Sequence, residues 1–364
     1  MADNCLTATT VSEQMLNRLR GKTLRIPDLW PLFKDWPRGR HQDYSSLREI
    51  FDDALKIYEK PKRDIIASAE PDVLAAEFWP EAKGKELSFL FCYVMWQGYL
   101  DEVLENLQNY DQAAADTFRQ EVCKYVDGAL GFGPVPYIKR GDPILSAFTE
   151  IANALKKHCP EDTLHRLSNA IHAYVHSTAE EYRCSRSGTV LTYQDYFELR
   201  KKTGGTAPLV VLAEYASRAP LPDSVATSPA WLSISDAVCV IVGLTNDLLS
   251  IKREMYDGST LNAIATIFHD DPALSLDNVV ARIVGDIESA VERVEEGEAE
   301  LLRSTCTEDP KRAEDIRKVL RTLKQNCTGN LSWSLGTTRY GLEIATDGSV
   351  AIELGTKEQV VCLR

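Results

Sequence analysis

Asn246-Asp-Leu-Leu-Ser250-Ile-Lys-Arg-Glu254 sets an amide, a hydroxyl and a carboxylate at every fourth position. On an α-helix four residues turn about 400°, so the three polar groups drift only about 40° per step and share one face. Oxygen donors stacked this way suit a hard divalent cation such as Mg²⁺. The run belongs to a long apolar helix. Ser228-Pro229 reads as its N-cap and first helical residue, Val238, Ile241, Val242 and Leu248 as an apolar lining, and Asp257-Gly258 as its stop. A polar triad in such a setting costs stability unless something binds it. In isolation the pattern would equally suit a solvated helix face; the apolar surroundings argue for a site.

Outward from this helix the pattern stays helical. Apolar residues recur at three- and four-residue intervals over 45–60, 71–79, 86–108, 111–127, 143–157, 161–186, 192–202, 207–217, 229–256, 259–268, 275–305 and 308–341. Connections are short and punctuated, as at Gly131-Phe-Gly-Pro-Val-Pro136 and Arg218-Ala-Pro-Leu-Pro222. No repeat, low-complexity segment or composition shift marks a boundary. The expected architecture is all-α: a single-domain helical bundle over 45–345. An extended segment, 1–44, containing Arg25-Ile-Pro-Asp-Leu-Trp30, lies over it, and a tail, 346–364, departs from helix. In the tail, Val350-Ala-Ile-Glu-Leu and Gln359-Val-Val-Cys fit either short strands or a disordered end.

Composition narrows the function. The 364 residues are 44% hydrophobic and 26% charged, ordinary for a globular chain long enough to bury a large core. A net charge of −13 argues against nucleic acid or an anionic membrane surface as partner, since both need clustered Lys and Arg. The nine cysteines are scattered without C-x-x-C spacing, as expected of reduced thiols in a cytoplasmic protein. Met1-Ala-Asp-Asn-Cys5 shows no signal-peptide pattern. The longest apolar run, Phe89 to Trp96, is eight residues, so no membrane insertion is expected. A homodimer is left open.

Three further constellations carry chemistry. Leu100-Asp101-Glu102-Val-Leu-Glu105 closes the apolar run of 89–96; Asp101 and Glu105 share a face and could hold Mg²⁺, or form a solvated acidic end. Tyr196-Phe-Glu-Leu-Arg200-Lys-Lys-Thr203-Gly204-Gly205 places Arg200 just before a helix break, where a guanidinium can grip phosphate or complement the helix dipole. Trp333-Ser-Leu-Gly-Thr-Thr-Arg339-Tyr340 supplies anion donors and an indole face able to stabilise a cation, or a core Trp beside a solvated pair.

Together, two metal-ligand faces and two basic grips in a helical chain resemble the class I terpene synthases (terpene cyclases), of the single-domain fungal and microbial sesquiterpene type. The likeness runs from about Arg25 to Tyr340. It is strongest over 190–213 and in the 46-residue interval from Arg200 to Asn246. The resemblance implies that Asn246, Ser250 and Glu254 hold one Mg²⁺ of three, and that Asp101 begins the acidic motif, with Glu105, for the other two. It further implies that Arg200 senses diphosphate and that Thr203 and Gly204 transmit its movement. Arg339 and Tyr340 bind diphosphate, Arg253 stands where the family usually has Lys with Lys252 as an adjacent substitute donor, and Trp333 lines the cavity. The implied reaction is ionisation and cyclisation of an allylic prenyl diphosphate, farnesyl diphosphate in the first place, with the geranyl and geranylgeranyl homologues as alternatives. A prenyl-chain elongating synthase would need a second Asp-rich motif where this chain has Asn-Ser-Glu. A catalytically silent helical binding protein is the reading from another class.

Two departures from the family pattern stand out. Asp101-Glu102-x-x-Glu105 replaces D-D-x-x-D/E. Gln97 and Gly98 stand where many members have aromatics, so the aromatic contour must come from Trp96, Tyr93, Phe89 or Phe78. His172-Ala-Tyr-Val-His176 has zinc-compatible spacing but lacks the Glu of H-E-x-x-H, and reads as a packed or solvated pair.

Overall fold

A computed structural model of the chain describes residues 10–56, 62–136, 143–305 and 309–355. Among these the chain folds as α1 (Val11–Leu19), β1 (Thr23–Ile26), a 3₁₀ turn (Trp30–Phe33), α2 (Tyr44–Leu55), α3 (Lys62–Ser68), α4 (Pro71–Phe78), α5 (Glu86–Tyr110), α6 (Gln112–Leu130), α7 (Pro143–His158) and α8 (Glu161–Arg186). It continues through α9 (Tyr193–Thr203), α10 (Thr206–Ser217), α11 (Asp223–Ala226), α12 (Pro229–Asp257), α13 (Ala263–Asp270), α14 (Leu276–Thr305), α15 (Pro310–Gly336) and β2 (Val350–Glu353). The fold is all-α, with one two-stranded ribbon at its margin.

Local chemistry sets the helix ends. The Ser228 hydroxyl accepts from the Trp231 amide and Pro229 fills the first turn of α12, while Gly258, at φ +80°, ends it in the left-handed conformation. Thr192 and Asp309 cap α9 and α15 in the same way. Among the described residues, α12 is the one helix long and apolar enough to cross a membrane by length and composition, but 83% of its most apolar window is buried. A helix apolar on all sides belongs at the centre of a bundle, and α12 packs against α9, α10, α14 and α15.

The buried side chains form two clusters. One joins α12, α13, α14 and α15 to the N-terminal segment; the other joins α2 and α4 to α8. Helix α10 bridges them, giving Val210 and Ala213 to the first and Leu209, Leu212, Tyr215 and Ala216 to the second. The candidate site residues gather at this seam.

Three expectations need correction. The N-terminal segment is only partly extended, since Val11–Leu19 is helical and capped by Thr10. Residues 62–68 and 223–226 form helices that periodicity did not reveal, because each is too short to show a pattern. The last helix stops at Gly336, so Arg339 and Tyr340 lie in the turn beyond it. The open question of the tail resolves for Val350–Glu353, which pairs antiparallel with Thr23–Ile26 and buries Val350 and Ile352 beside Leu24 and Ile26. Gln359-Val-Val-Cys lies outside the described residues.

Candidate active site

One face of α12 presents the triad. Ser250 Oγ donates to Glu254 Oε1 at 2.6 Å, and Asn262 Nδ2 donates to Glu254 Oε2 at 2.8 Å. Asn246 accepts from Arg200 Nη2 at 2.8 Å and donates to the Tyr340 hydroxyl at 2.8 Å. All three members of the triad are therefore held by neighbours on one network. Enclosure by protein, then the adjacent Asp247 carboxylate, pushes the Glu254 carboxyl up to about 7, against the pull of Arg200, Ser250 and Asn262.

Carboxylates face this network from α5 and α8. Asp101 accepts from the Tyr174 hydroxyl at 3.1 Å. It keeps solvent access through the cavities that meet at it, yet lies deep among protein atoms. That enclosure raises its pKa, while Tyr174, Arg339 and Arg200 lower it. Glu105 is raised by desolvation and then by Asp101 and Asp257. Glu181, on α8, is pushed up to about 8 by desolvation and then by Asp101. Burial first, and at Glu105 and Glu181 neighbouring carboxylates second, disfavour ionisation of these acids, so a cation among them would favour their charged forms and be held by them.

The donor set fits a hard divalent ion: carboxylate, amide and hydroxyl oxygens only. Among the described residues no three His, Cys, Asp or Glu side chains already form a metal cluster. The acidic groups instead stand on separate helices, and Asn246 and Ser250 contribute neutral oxygens.

Asp101 and Asn246 line one cavity of about 350 Å³. Arg200 and Arg339 sit on its polar side, and Leu74, Phe78, Val94, Leu209, Val242 and Trp333 make its apolar wall. Asp101 also borders two neighbouring hollows, one shared with Glu102, Glu105, Arg253 and Arg339, the other with Glu105, Glu181 and Asp257. It therefore sits at the junction of an apolar chamber and a polar mouth.

Arg200 is fixed by Asp247, whose carboxylate accepts from Arg200 Nε at 2.8 Å, from the Tyr196 hydroxyl at 2.5 Å and from the Ala263 amide at 3.0 Å. Asp247 raises the Arg200 pKa against the opposing effect of burial, so the guanidinium stays charged. Beyond α15, burial and then Arg253 lower the Arg339 pKa. The Tyr340 ring lies edge-on to Trp333, centroids 5.6 Å apart, and the Trp333 indole donates to Ala69 O at 2.9 Å. Thr203 and Gly204 line the cavity, but the break takes its left-handed residue at Gly205, φ +66°.

The structure thus brings together Asp101, Arg200, Thr203, Gly204, Asn246, Trp333 and Arg339 on one cavity. Ser250, Glu254 and Tyr340 join through the α12 network, and Glu105 and Arg253 through the mouth. Lys252 borders none of these hollows; it immediately precedes Arg253 and so lies about 100° away around α12. Of the four aromatics proposed for the contour, Phe78 lines the cavity. Tyr93 and Trp96 turn into the other core, where Trp96 packs 4.7 Å from Phe148, and Phe89 packs there too. His172 lies 3.2 Å from Asp127, and His176 3.9 Å from the Cys123 sulfur.

Sequence reading missed Asp247, Tyr174, Tyr196, Glu181 and Asn262. Asp247 had a signal, being an acid on a helix otherwise apolar on its buried faces. Tyr196 stands one turn before Arg200 in the same stretch of α9, though no role was read for it; Tyr174 and Glu181 on α8 and Asn262 at the start of α13 carry no local mark.

Residues 92–293, more than half of the chain, match the family described as "Terpene synthase family 2, C-terminal metal binding". The chain is a class I terpene synthase. This terpene synthase is 25% identical to the sesquiterpene cyclase hepA of Aspergillus oryzae over 89% of its own length and 91% of that protein. It is also 25% identical to the terpene cyclase braA of Annulohypoxylon truncatum, over 90% and 88% of the two chains. Solved structures share the fold. An α-eudesmol synthase superposes with a TM-score of 0.71 at 16% identity, covering 83% of this chain and 97% of its own. The linalool/nerolidol synthase of Streptomyces clavuligerus, with bound 2-fluorogeranyl diphosphate, superposes with a TM-score of 0.70 at 18% identity, covering 84% and 98%. The matched region is the family's metal-binding part, and it contains Asp101, Arg200 and the α12 triad.

Proposed function

We propose that this terpene synthase ionises farnesyl diphosphate and closes the resulting cation into a cyclic sesquiterpene, releasing diphosphate. One observation carries the reading: Asp101 and Asn246 border the same cavity, whose remaining wall is largely apolar. The sesquiterpene cyclase name of a 25%-identical relative favours the fifteen-carbon substrate.

Three Mg²⁺ ions are expected, held by Asp101, Glu105, Asn246, Ser250 and Glu254. When bound, magnesium neutralises the diphosphate and stabilises charge developing on the departing oxygen. The chain's own groups do the rest. Arg200, with Asp247 holding its Nε, offers its remaining N–H groups beside Asn246. Arg253 and Arg339 supply further N–H donors to an anion at the mouth, and Tyr340 its hydroxyl. Phe78, Val94, Leu209, Val242 and Trp333 keep water from the cation and hold the prenyl chain folded on itself. The aromatic faces of Phe78 and Trp333 favour positive charge nearby. The six described cysteines are free, in keeping with a reducing, cytoplasmic setting.

The test is to incubate pure protein with farnesyl diphosphate and Mg²⁺ and to analyse the hexane extract by gas chromatography–mass spectrometry. A cyclic hydrocarbon or alcohol is expected. A longer diphosphate formed only with added isopentenyl diphosphate would make the protein an elongating synthase. No turnover of any prenyl diphosphate would make it a silent binding protein.

A further inference from the structure

Gln97 stands one helical turn before Asp101 on α5, on the same face and bordering the same cavity. Its Nε2 donates to the carbonyl of Gly205 at 3.0 Å. Gly205 is the hinge residue of the α9–α10 break, the N-cap of α10 with positive φ. The approach is close: a Cβ at Gly205 would lie 1.9 Å from Gln97 Nε2, so Gly205 is the side-chain-free seat of this amide as well as a turn residue. On the other side of the break the Gly204 amide donates to Arg200 O at 3.0 Å, and the Arg200 guanidinium holds Asn246 and Asp247. A continuous set of contacts therefore runs from Asp101's helix through Gln97 and Gly205 to Arg200 and the face of α12.

We propose that Gln97 is a positioning residue, whose amide ties the acidic helix α5 to the α9–α10 break so that Asp101 keeps its register with Arg200 when an anion is gripped. The inference rests on the functional reading above. An apolar or aromatic side chain at position 97 could pack on the cavity wall but could not hold the Gly205 carbonyl. The α9–α10 break would then settle independently of α5. The diphosphate end of the substrate would be held by two faces no longer in register, while the prenyl end would meet the same wall.

Two substitutions test this. Gln97→Met keeps the length and removes the donor; Gln97→Glu keeps the shape and, when ionised, offers only acceptors to the carbonyl. With farnesyl diphosphate and Mg²⁺, kcat is expected to fall about 2- to 10-fold, the range set by loss of one hydrogen bond felt in the transition state. KM should change less than about twofold, since the prenyl contacts remain. The product mixture should shift toward acyclic compounds. Independently of turnover, the rise in melting temperature on adding inorganic diphosphate with Mg²⁺ should be smaller in both variants than in wild type. Variants that keep the wild-type kcat, product ratio and diphosphate-induced rise overturn the proposal. So does a variant that merely melts lower while each folded molecule turns over normally. If Gln97→Met does not fold, Gln97→Glu decides. If wild type itself does not turn over farnesyl diphosphate, the functional reading fails, and the diphosphate-induced rise alone judges Gln97.

Discussion

Replacing Asp247 by asparagine tests the electrostatic anchor of the site without reference to substrate or metal. The carboxylate is fully buried and accepts from three donors, the Arg200 Nε, the Tyr196 hydroxyl and the Ala263 amide. An asparagine of the same shape must turn its NH₂ toward at least one of them. It also leaves the Arg200 guanidinium without its counter-ion. Removing one partner from a buried pair costs about 3–5 kcal/mol, because the other charge stays desolvated. Unfolding entropy of about 2.1 cal/mol/K per residue gives a chain of this length about 0.8 kcal/mol/K, so the melting temperature should drop by about 4–6 °C. Far-UV circular dichroism in metal-free buffer reads this directly. The Arg253–Asp257 pair, 3.6 Å apart with Asp257 65% exposed, supplies the contrast. There Asp257→Asn should cost no more than about 1 kcal/mol, a shift of roughly 1 °C. If Asp247→Asn melts within about 1 °C of wild type, the carboxylate is not the anchor of Arg200 and the argument fails.

Asn246→Ala and Glu254→Ala should abolish terpene formation, read by gas chromatography–mass spectrometry, while the circular dichroism spectrum stays native; activity near wild type would contradict the metal assignment. The folded-state values of Glu181 (about 8) and Glu254 (about 7) stand above the ordinary 4.5. Their contribution to metal-free stability is therefore complete below about pH 4.5 and lost as pH rises through about 7–8. The metal-free melting temperature should decline from about pH 5 to about pH 8 and level off above, and MgCl₂ should lessen the decline by favouring the ionised carboxylates; a flat metal-free profile would refute this. Gly329→Ala would set a Cβ 2.5 Å from the Glu77 backbone oxygen, where α15 crosses α4. Thermal denaturation should show a loss of about 1–3 kcal/mol, or about 1–4 °C, and an unchanged melt would mean that the crossing relaxes freely.

Spacing along the chain was enough to determine that it is helical, that Asn246, Ser250 and Glu254 share a face of α12, that Asp101 and Glu105 share one of α5, and that Arg200 precedes a break. These are local properties, since a helix turns a known angle per residue and a glycine pair interrupts it wherever it occurs. Packing decided what no spacing contains. It turned Tyr93 and Trp96 into the core and left Phe78 on the cavity, set Asp247 under Arg200, carried Glu181 from α8 toward Asp101, and paired residues 350–353 with 23–26. The rotation of each helix about its own axis, and the partner each strand finds, follow from burying all the apolar faces at once. That is a property of the whole bundle, and no single segment carries it.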